Sequence, residues 1–150
     1  MEGARILFLA GALSTHAFVG YALVRGFTDA DPRFGALLGL VPDADFLFPA
    51  AWGWPFVHRG LTHAPLFVAA LVAGAYAIRR DRDLPLAVGL GVGSHVAVDS
   101  LSPMGIPWLF PLEASPSLGL PVHGPAATAL LWAGAIGILA KLTTDLPSIR

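Results

Sequence analysis

Residues 6–24 read ILFLAGALSTHAFVGYALV, a stretch in which His16 is the only side chain that can carry a charge near neutral pH. A helix needs about 20 predominantly apolar residues to cross the hydrocarbon core of a bilayer, so this stretch predicts a transmembrane helix. A cleaved signal peptide has a similar outline, but its apolar region is shorter and uniform, whereas Ser14, Thr15 and His16 interrupt this one. We therefore expect the segment to be retained as the first span.

The remainder of the chain has the same apolar character. Of the 150 residues, 55% are hydrophobic and 13% are charged, and the mean hydropathy is +0.69. Soluble domains carry about 25% charged residues, and a domain of this size has too little interior to bury so much apolar surface. We predict an all-α fold, a polytopic membrane helical bundle formed by a single domain over residues 1–150.

Three further apolar runs are candidate spans, namely residues 62–78, with Thr62 as the predicted N-cap, 85–101 and 126–142. Residues 34–41 are apolar but too short to cross. Residues 43–57 mix two aspartates with aromatic residues, Gly and Pro, which is typical of a re-entrant or interfacial segment. The prediction is about four transmembrane helices plus this segment, with a loop over residues 102–123.

Basic residues set the expected orientation, because cytoplasmic loops of membrane proteins are enriched in Lys and Arg. Alternating spans would place most of them on the side of the N-terminus: Arg5, Arg79, Arg80, Arg82, Lys141 and Arg150. The opposite side would hold only Arg25, Arg33 and Arg59. We therefore expect a multi-pass protein of the cell (plasma or inner) membrane with both termini in the cytoplasm.

Charge and cysteine content exclude several functions. The net charge of −1 argues against a nucleic-acid partner, because phosphate binding needs a basic surface. The chain has no cysteine, which excludes disulfides, thiolate metal sites and cysteine nucleophiles. Any metal must therefore be bound by histidine nitrogen and carboxylate oxygen.

Two short motifs carry such ligands. His95 and Asp99 are four residues apart in a predicted helix, so both side chains project from one face. They could bind a metal together, or form a hydrogen-bonded pair that joins helices. Asp43 and Asp45 follow Pro42 and would point the same way from an extended segment, either toward a shared cation or, more simply, into solvent from an acidic turn.

The most distinctive motif is HRGLTH, residues 58–63, where His58 and His63 flank a glycine turn at the start of a predicted helix. Arg59 adds a planar donor suited to phosphate or carboxylate. The alternative is a basic anchor at the membrane interface. His16 alone would more often be a packing residue than a ligand, and His123 is treated as a loop histidine whose place in the site is left open.

The predicted topology brings seven nitrogen or oxygen ligands toward the outer face: His16, Asp43, Asp45, His58, His63, His95 and Asp99. A single tetrahedral zinc needs three or four ligands. The set therefore favours two or more divalent metal ions, and we expect zinc. Such ions lie about 3.5–4 Å apart in two-metal hydrolytic sites.

These motifs resemble those of the YdjM-like family of predicted membrane-bound metal-dependent hydrolases. The matching stretches, in order, are Thr15-His16, LVPDAD (residues 40–45), HRGLTH (58–63), SHVAVD (94–99) and LSPMGIPWLFP (101–111). The resemblance implies a metal site built from the same seven residues. That site is similar, more distantly, to the one in zinc-dependent phospholipase C. The chain departs from some relatives in carrying Phe46 after the second aspartate, where a histidine can occur, and it lacks the N-terminal tryptophan ligand of the phospholipases.

The resulting hypothesis is an enzyme, a metal-dependent hydrolase that acts on a phosphoester of a membrane lipid or lipid-linked substrate. Asp45 or Asp43 would serve as the base or bridging ligand, and Arg59 would bind the anionic group of the substrate. An ion or proton transporter is the first alternative, because intramembrane His and Asp also form relays. A non-catalytic protein with a structural metal site is the second.

Overall fold

The computed structural model describes residues 2–144, which are helical with no β-strand among them. The α-helices are α1 (Glu2–Phe27), α2 (Pro32–Leu38), α3 (Pro65–Ile78), α4 (Asp83–Leu101) and α5 (Pro125–Thr144). Short 3₁₀ turns at Pro42–Leu47, Ala50–Trp52 and Leu61–His63 connect α2 to α3. The all-α class predicted from the sequence is confirmed.

Three helices, α1, α4 and α5, are long and apolar enough to cross a membrane. The predicted count of four is not reached, because α3 has 14 residues. A helix of that length rises only about 21 Å, against a hydrocarbon core of about 30 Å. The helix begins at Pro65, since Thr62 lies in a 3₁₀ turn and its hydroxyl donates to Asp45 at 3.1 Å. The predicted N-cap role of Thr62 is therefore wrong, and Ala64 occupies that position.

Helices α1 and α5 run parallel to each other. The ring of Phe8 lies 6.0 Å from that of His123, just before α5. Further along, Trp132 Nε1 donates to Thr15 Oγ1 at 3.0 Å. Near the far end, a Cβ on Gly26 would lie 2.6 Å from the side chain of Ile138. Glu2 and Thr144 consequently lie at opposite ends of the bundle.

The short helix α2 runs back along α1 and packs between α1 and α4. Asp31 accepts a hydrogen bond from the Arg33 N–H at 2.9 Å and caps α2, whose first residue is Pro32. The backbones of α1 and α2 approach so closely at Gly20 and Gly35 that a Cβ on either would collide with the carbonyl oxygen of the other. Small residues of this kind allow close helix packing in membranes.

The return of the chain through α2 overturns the predicted segregation of charge. Arg25, at the end of α1, lines the same cavity as Arg82 at the start of α4 and Leu142 at the end of α5. The predicted orientation had placed Arg25 opposite Arg82. This placement of Arg25 was wrong because the sequence suggested that residues 26–57 stay on one face of the membrane, whereas α2 carries the chain back along the bundle. The sides of the membrane on which the two termini lie stay a prediction, and Arg150, counted in that prediction, lies outside the described residues.

Replacing Gly20 tests the close packing of α1 on α2. Gly20→Ala should lower the free energy of unfolding by about 1–3 kcal/mol, because the new methyl group overpacks a backbone contact. Gly11→Ala in the same helix is the matched control, since nothing lies within 4 Å of a Cβ there. Thermal unfolding in detergent, followed by circular dichroism, measures both; equal stability of the two variants would contradict the described packing.

Candidate metal centre

The seven residues singled out in the sequence converge in the interior of the bundle. His16 comes from the middle of α1, and His95 and Asp99 from the second half of α4. The turn after α2 supplies Asp43 and Asp45, and the connection to α3 supplies His58 and His63. His16, His63, His95, Asp45 and Asp99 are each at most 3% exposed. Isolated ionisable groups are rarely buried so completely, so the cluster must satisfy its charges internally.

Four donor atoms lie close to one another at the centre of the cluster. His63 Nε2 and His95 Nε2 are 3.2 Å apart. Asp99 Oδ2 lies 3.4 and 3.6 Å from these two nitrogens, and Asp43 Oδ1 lies 3.8 and 3.7 Å from them. Two ligands of one tetrahedral zinc, each bound at ~2.0–2.1 Å, are separated by about 3.3–3.4 Å. The two nitrogens and Asp99 Oδ2 are thus spaced like ligands of one metal ion, and Asp43 Oδ1 lies somewhat farther from both nitrogens.

The tautomers of two histidines follow from their partners. His95 Nδ1 lies 2.7 Å from the Gly39 carbonyl oxygen, which only accepts, so Nδ1 carries the proton. His63 Nδ1 lies 3.1 Å from the Asp45 carboxylate and donates in the same way. In the neutral rings both Nε2 lone pairs then face each other across 3.2 Å. Such a pair of lone pairs is repulsive unless a cation lies beside them.

Asp45 holds two of the histidines in place. Its carboxylate accepts from His58 Nδ1 at 3.0 Å, the Arg59 N–H at 3.0 Å, the Thr62 hydroxyl at 3.1 Å and His63 Nδ1 at 3.1 Å. Burial alone would raise the pKa of Asp45, but the hydrogen bonds from His58 and His63 hold it well below its usual range. Both oxygens face these donors, so the geometry fits a carboxylate that orients ligand histidines. Its predicted roles as metal ligand and base remain predictions.

His63 lies between two carboxylates. Burial lowers its pKa, but hydrogen bonds to Asp45 and Asp99 outweigh that effect and raise the pKa above its usual value. The same field that favours a proton on this ring favours any cation beside it. The centre of the cluster is therefore a cation-attracting position.

The second oxygen of Asp99 faces a different pair of histidines. Asp99 Oδ1 lies 3.0 Å from His123 Nε2 and 3.4 Å from His16 Nε2. The His16 ring also stacks on that of His95, with centroids 3.7 Å apart. His123, left open in the sequence analysis, thus joins the cluster. The feature of the sequence that could have placed His123 in the cluster is its position just before the last predicted span, on the same side as the other histidines.

Overlapping sets of these side chains could hold more than one ion. Four groups of three offer ligand atoms that all lie within 4.8 Å of one another. The groups are His63/His95/Asp99, His16/Asp43/His95, His16/Asp99/His123 and Asp43/His58/His63. Asp43 and Asp99 each occur in two of these groups, as do three of the histidines. Asp45 belongs to none of the groups found in the described part of the chain.

Arg59 binds the protein rather than standing free for a substrate. Its Nη2 lies 2.9 Å from Asp99 Oδ2. Its Nη1 donates to the Ser102 hydroxyl and, at 3.3 Å, to the Asp99 and Gly105 carbonyl oxygens. The backbone of Arg59 has φ 62°, a left-handed conformation that costs energy for a residue with a side chain. That conformation lets its N–H reach Asp45 while its guanidinium reaches Asp99, so one residue links both carboxylates.

Two hydroxyl groups complete the site and were not singled out as site residues in the sequence. The Thr62 hydroxyl donates a hydrogen bond to Asp45. The Ser102 hydroxyl accepts a hydrogen bond from Arg59 and donates one to the Asp99 carbonyl oxygen at 2.8 Å. Both are buried. In the sequence, Thr62 stands out only by lying inside HRGLTH, and Ser102 only by following the helix that carries His95 and Asp99. Threonine and serine are also common in ordinary turns, so one sequence cannot show that these two belong to the site.

Arg59→Ala should lower the free energy of unfolding by about 3–5 kcal/mol, because Asp99 would lose its cationic partner while remaining buried. Arg33→Ala, at an exposed position, is the control and should change stability by no more than about 0.5 kcal/mol. Both changes in the free energy of unfolding are to be measured in detergent without added metal. An Arg59 variant as stable as the control would mean that the Asp99 pair does not support the fold.

Comparison with known proteins identifies one family. The model described as YdjM inner membrane protein matches residues 12–147, a range that includes every residue of the cluster. A comparison with curated proteins finds no match, and a comparison with solved structures finds none either.

Proposed function

Since this chain belongs to the YdjM inner membrane protein family, we propose that it is a membrane-bound hydrolase that uses divalent metal ions to cleave a phosphoester of a lipid or lipid-linked substrate. The observation that supports this most directly is the set of four donor atoms around His63 and His95. Their Nδ1 protons are fixed on outward acceptors, which leaves both Nε2 lone pairs directed inward. Metal-binding histidines are oriented by such outer partners in the same way.

The donor set offers ligands for two ions. His63, His95 and one oxygen of Asp99 would hold the first. His16, His123 and the other oxygen of Asp99 would hold the second. Nitrogen and carboxylate ligands without thiolate suit zinc, manganese or iron. When bound, such ions activate a water molecule and polarise the phosphoryl oxygens.

The chain itself supplies a base and a fixed positive charge. Asp43 borders the cavity beside the cluster and is less buried than Asp45, with 11% of its side chain exposed against 1%. We therefore assign the role of base to Asp43, because the oxygens of Asp45 are taken by four donors. Arg59 also borders this cavity. Its guanidinium places a positive charge near the phosphoryl group while it positions Asp99.

Metal content tests the site first. The purified protein should contain two or more equivalents of a divalent metal by plasma mass spectrometry, and the His95→Ala/Asp99→Ala double variant should contain none. Asp45→Asn should retain metal with an affinity reduced by about 10–100-fold, as expected for an orienting residue. Asp29→Asn is the control, because Asp29 is exposed at the other end of the bundle. Wild-type protein that stays empty after reconstitution would overturn the proposal.

Hydrolysis is tested on the metal-loaded protein with phosphomonoester and phosphodiester lipids in mixed micelles. Asp43→Asn should lower kcat by about 10²–10⁴-fold, the usual contribution of a general base. Its circular dichroism spectrum and metal content serve as controls for folding and loading. Full metal occupancy with no turnover of any lipid phosphoester would instead favour a structural metal site.

We also propose that the metal centre faces the outer side of the membrane. The end of the bundle away from the centre carries Arg25, Arg79, Arg82 and Lys141, and basic residues favour the cytoplasm. The N-terminal end of α1 would then lie outside and Thr144 inside.

The absence of native cysteine makes this orientation directly measurable. A membrane-impermeant maleimide should label Glu113→Cys in sealed right-side-out vesicles and Arg80→Cys only after permeabilisation. Both side chains are exposed, so accessibility to the reagent depends on the side alone. The reverse labelling pattern would invert the orientation without affecting the metal assignment.

A further inference from the structure

A cavity of about 230 Å³ adjoins the metal centre, and its two sides differ in chemistry. The polar side is formed by cluster residues that include His16, Asp99 and His123. The apolar part of the lining comes mainly from α1, through Phe8, Leu9, Ala12 and Leu13. Ligand sites of this composition use apolar walls for affinity and a few polar groups for orientation.

The apolar wall belongs to one face of α1. Phe8, Ala12 and His16 follow one another at intervals of four residues, so they lie on the same side of the helix. The cavity residues of α1 therefore lead along the helix from its first half down to His16 in the cluster. Leu7 lies on the opposite side and does not border the cavity.

Much of the first half of α1 is not covered by protein. Its side chains are largely exposed, with Ile6 63%, Leu7 75% and Phe8 53% accessible. They belong to a helix long and apolar enough to cross a membrane, and exposed apolar residues of such a helix face hydrocarbon. The wall of the cavity is therefore continuous with the lipid-facing surface of the protein.

The size of the cavity limits what can enter it completely. Pockets for drug-sized ligands measure about 300–1,000 Å³, more than the 230 Å³ available here. A lipid could place its headgroup and the first part of one chain inside, while the remainder of the chain stays in the bilayer. A fully enclosed soluble substrate would leave the apolar wall of α1 unused.

We propose that the face of α1 from Phe8 to Leu13 binds the apolar chain of a membrane lipid, which enters sideways from the bilayer with its anionic headgroup toward the metal centre. The identity of the headgroup as a phosphoester rests on the proposed function. The proposed position of the lipid's apolar chain is argued from the cavity lining and from the exposure of α1. Met104, 60% exposed on the loop after α4, lines the cavity as well and would contact the same chain.

Photo-crosslinking tests the binding site without requiring turnover. The probe is phosphatidic acid with a diazirine in its acyl chain, in phosphatidylcholine vesicles that contain the metal-loaded wild-type protein. Mass spectrometry should locate the adducts at Phe8, Leu9, Ala12, Leu13 and Met104. Adducts confined to other lipid-facing surfaces, such as the side of α1 that carries Leu7, would overturn the proposal even if the protein hydrolyses phosphoesters.

Substitution provides the second test. Ala12→Trp should place an indole ring in the cavity and reduce the adduct yield there at least about tenfold, equivalent to ~1.4 kcal/mol of binding free energy. Leu7→Trp is the matched control and should leave the yield unchanged. Metal content and the circular dichroism spectrum of both variants confirm folding, and Leu9→Phe replaces Ala12→Trp if the latter fails to fold. An undiminished yield in a folded, cavity-filling variant would contradict the proposal, whereas adduct formation without hydrolysis would overturn only the proposed enzymatic function.

Discussion

The carboxylate of Asp99 is the interaction on which the rest of the centre depends. It is 2% exposed and is approached by groups from every part of the fold: His16 of α1, His95 of its own helix, His63 and Arg59 of the connection before α3, and His123 before α5. A buried carboxylate is costly unless it is paired and hydrogen-bonded. Each of these elements must therefore reach its place before the charge is compensated, which couples the formation of the centre to the assembly of the bundle.

Close packing of α2 makes that assembly possible. Gly20, Gly35 and Gly91 allow α2 to lie against α1 and α4 at backbone distance. This contact brings the Gly39 carbonyl to His95, and it delivers the following turn, with Asp43 and Asp45, into the interior. The small residues on three helices thus decide where the acidic residues of an irregular segment end up. In hydrocarbon, where apolar burial gives no net driving force between helices, packing and polar contacts of this kind hold a bundle together.

The sequence predicted the membrane class, the all-α fold and the members of the cluster, because those properties follow from hydropathy and from residue type. His16, His58, His63, His95, Asp43, Asp45 and Asp99 do converge. The predicted count of four spanning helices is not confirmed, and the sequence did not reveal the path of the chain. A seven-residue helix such as α2 has too little periodicity to reveal that it runs back along α1, and a charge count cannot correct an error in the path. The contacts of Asp45, Arg59 and His123 were also beyond it, because they depend on which atoms face each other.

The proton on His95 is controlled by the main chain rather than by a side chain. Asp45 performs the corresponding task for His63 and can be changed by a single substitution, but the acceptor for His95 is the carbonyl of Gly39. No codon at position 39 can remove that oxygen. Any larger residue there would instead collide with the His16 carbonyl and push α2 away from α1. The two central histidines therefore differ in how evolution can change them: the Nδ1 acceptor of His63 can be replaced by one substitution, whereas that of His95 can be displaced only by moving a helix.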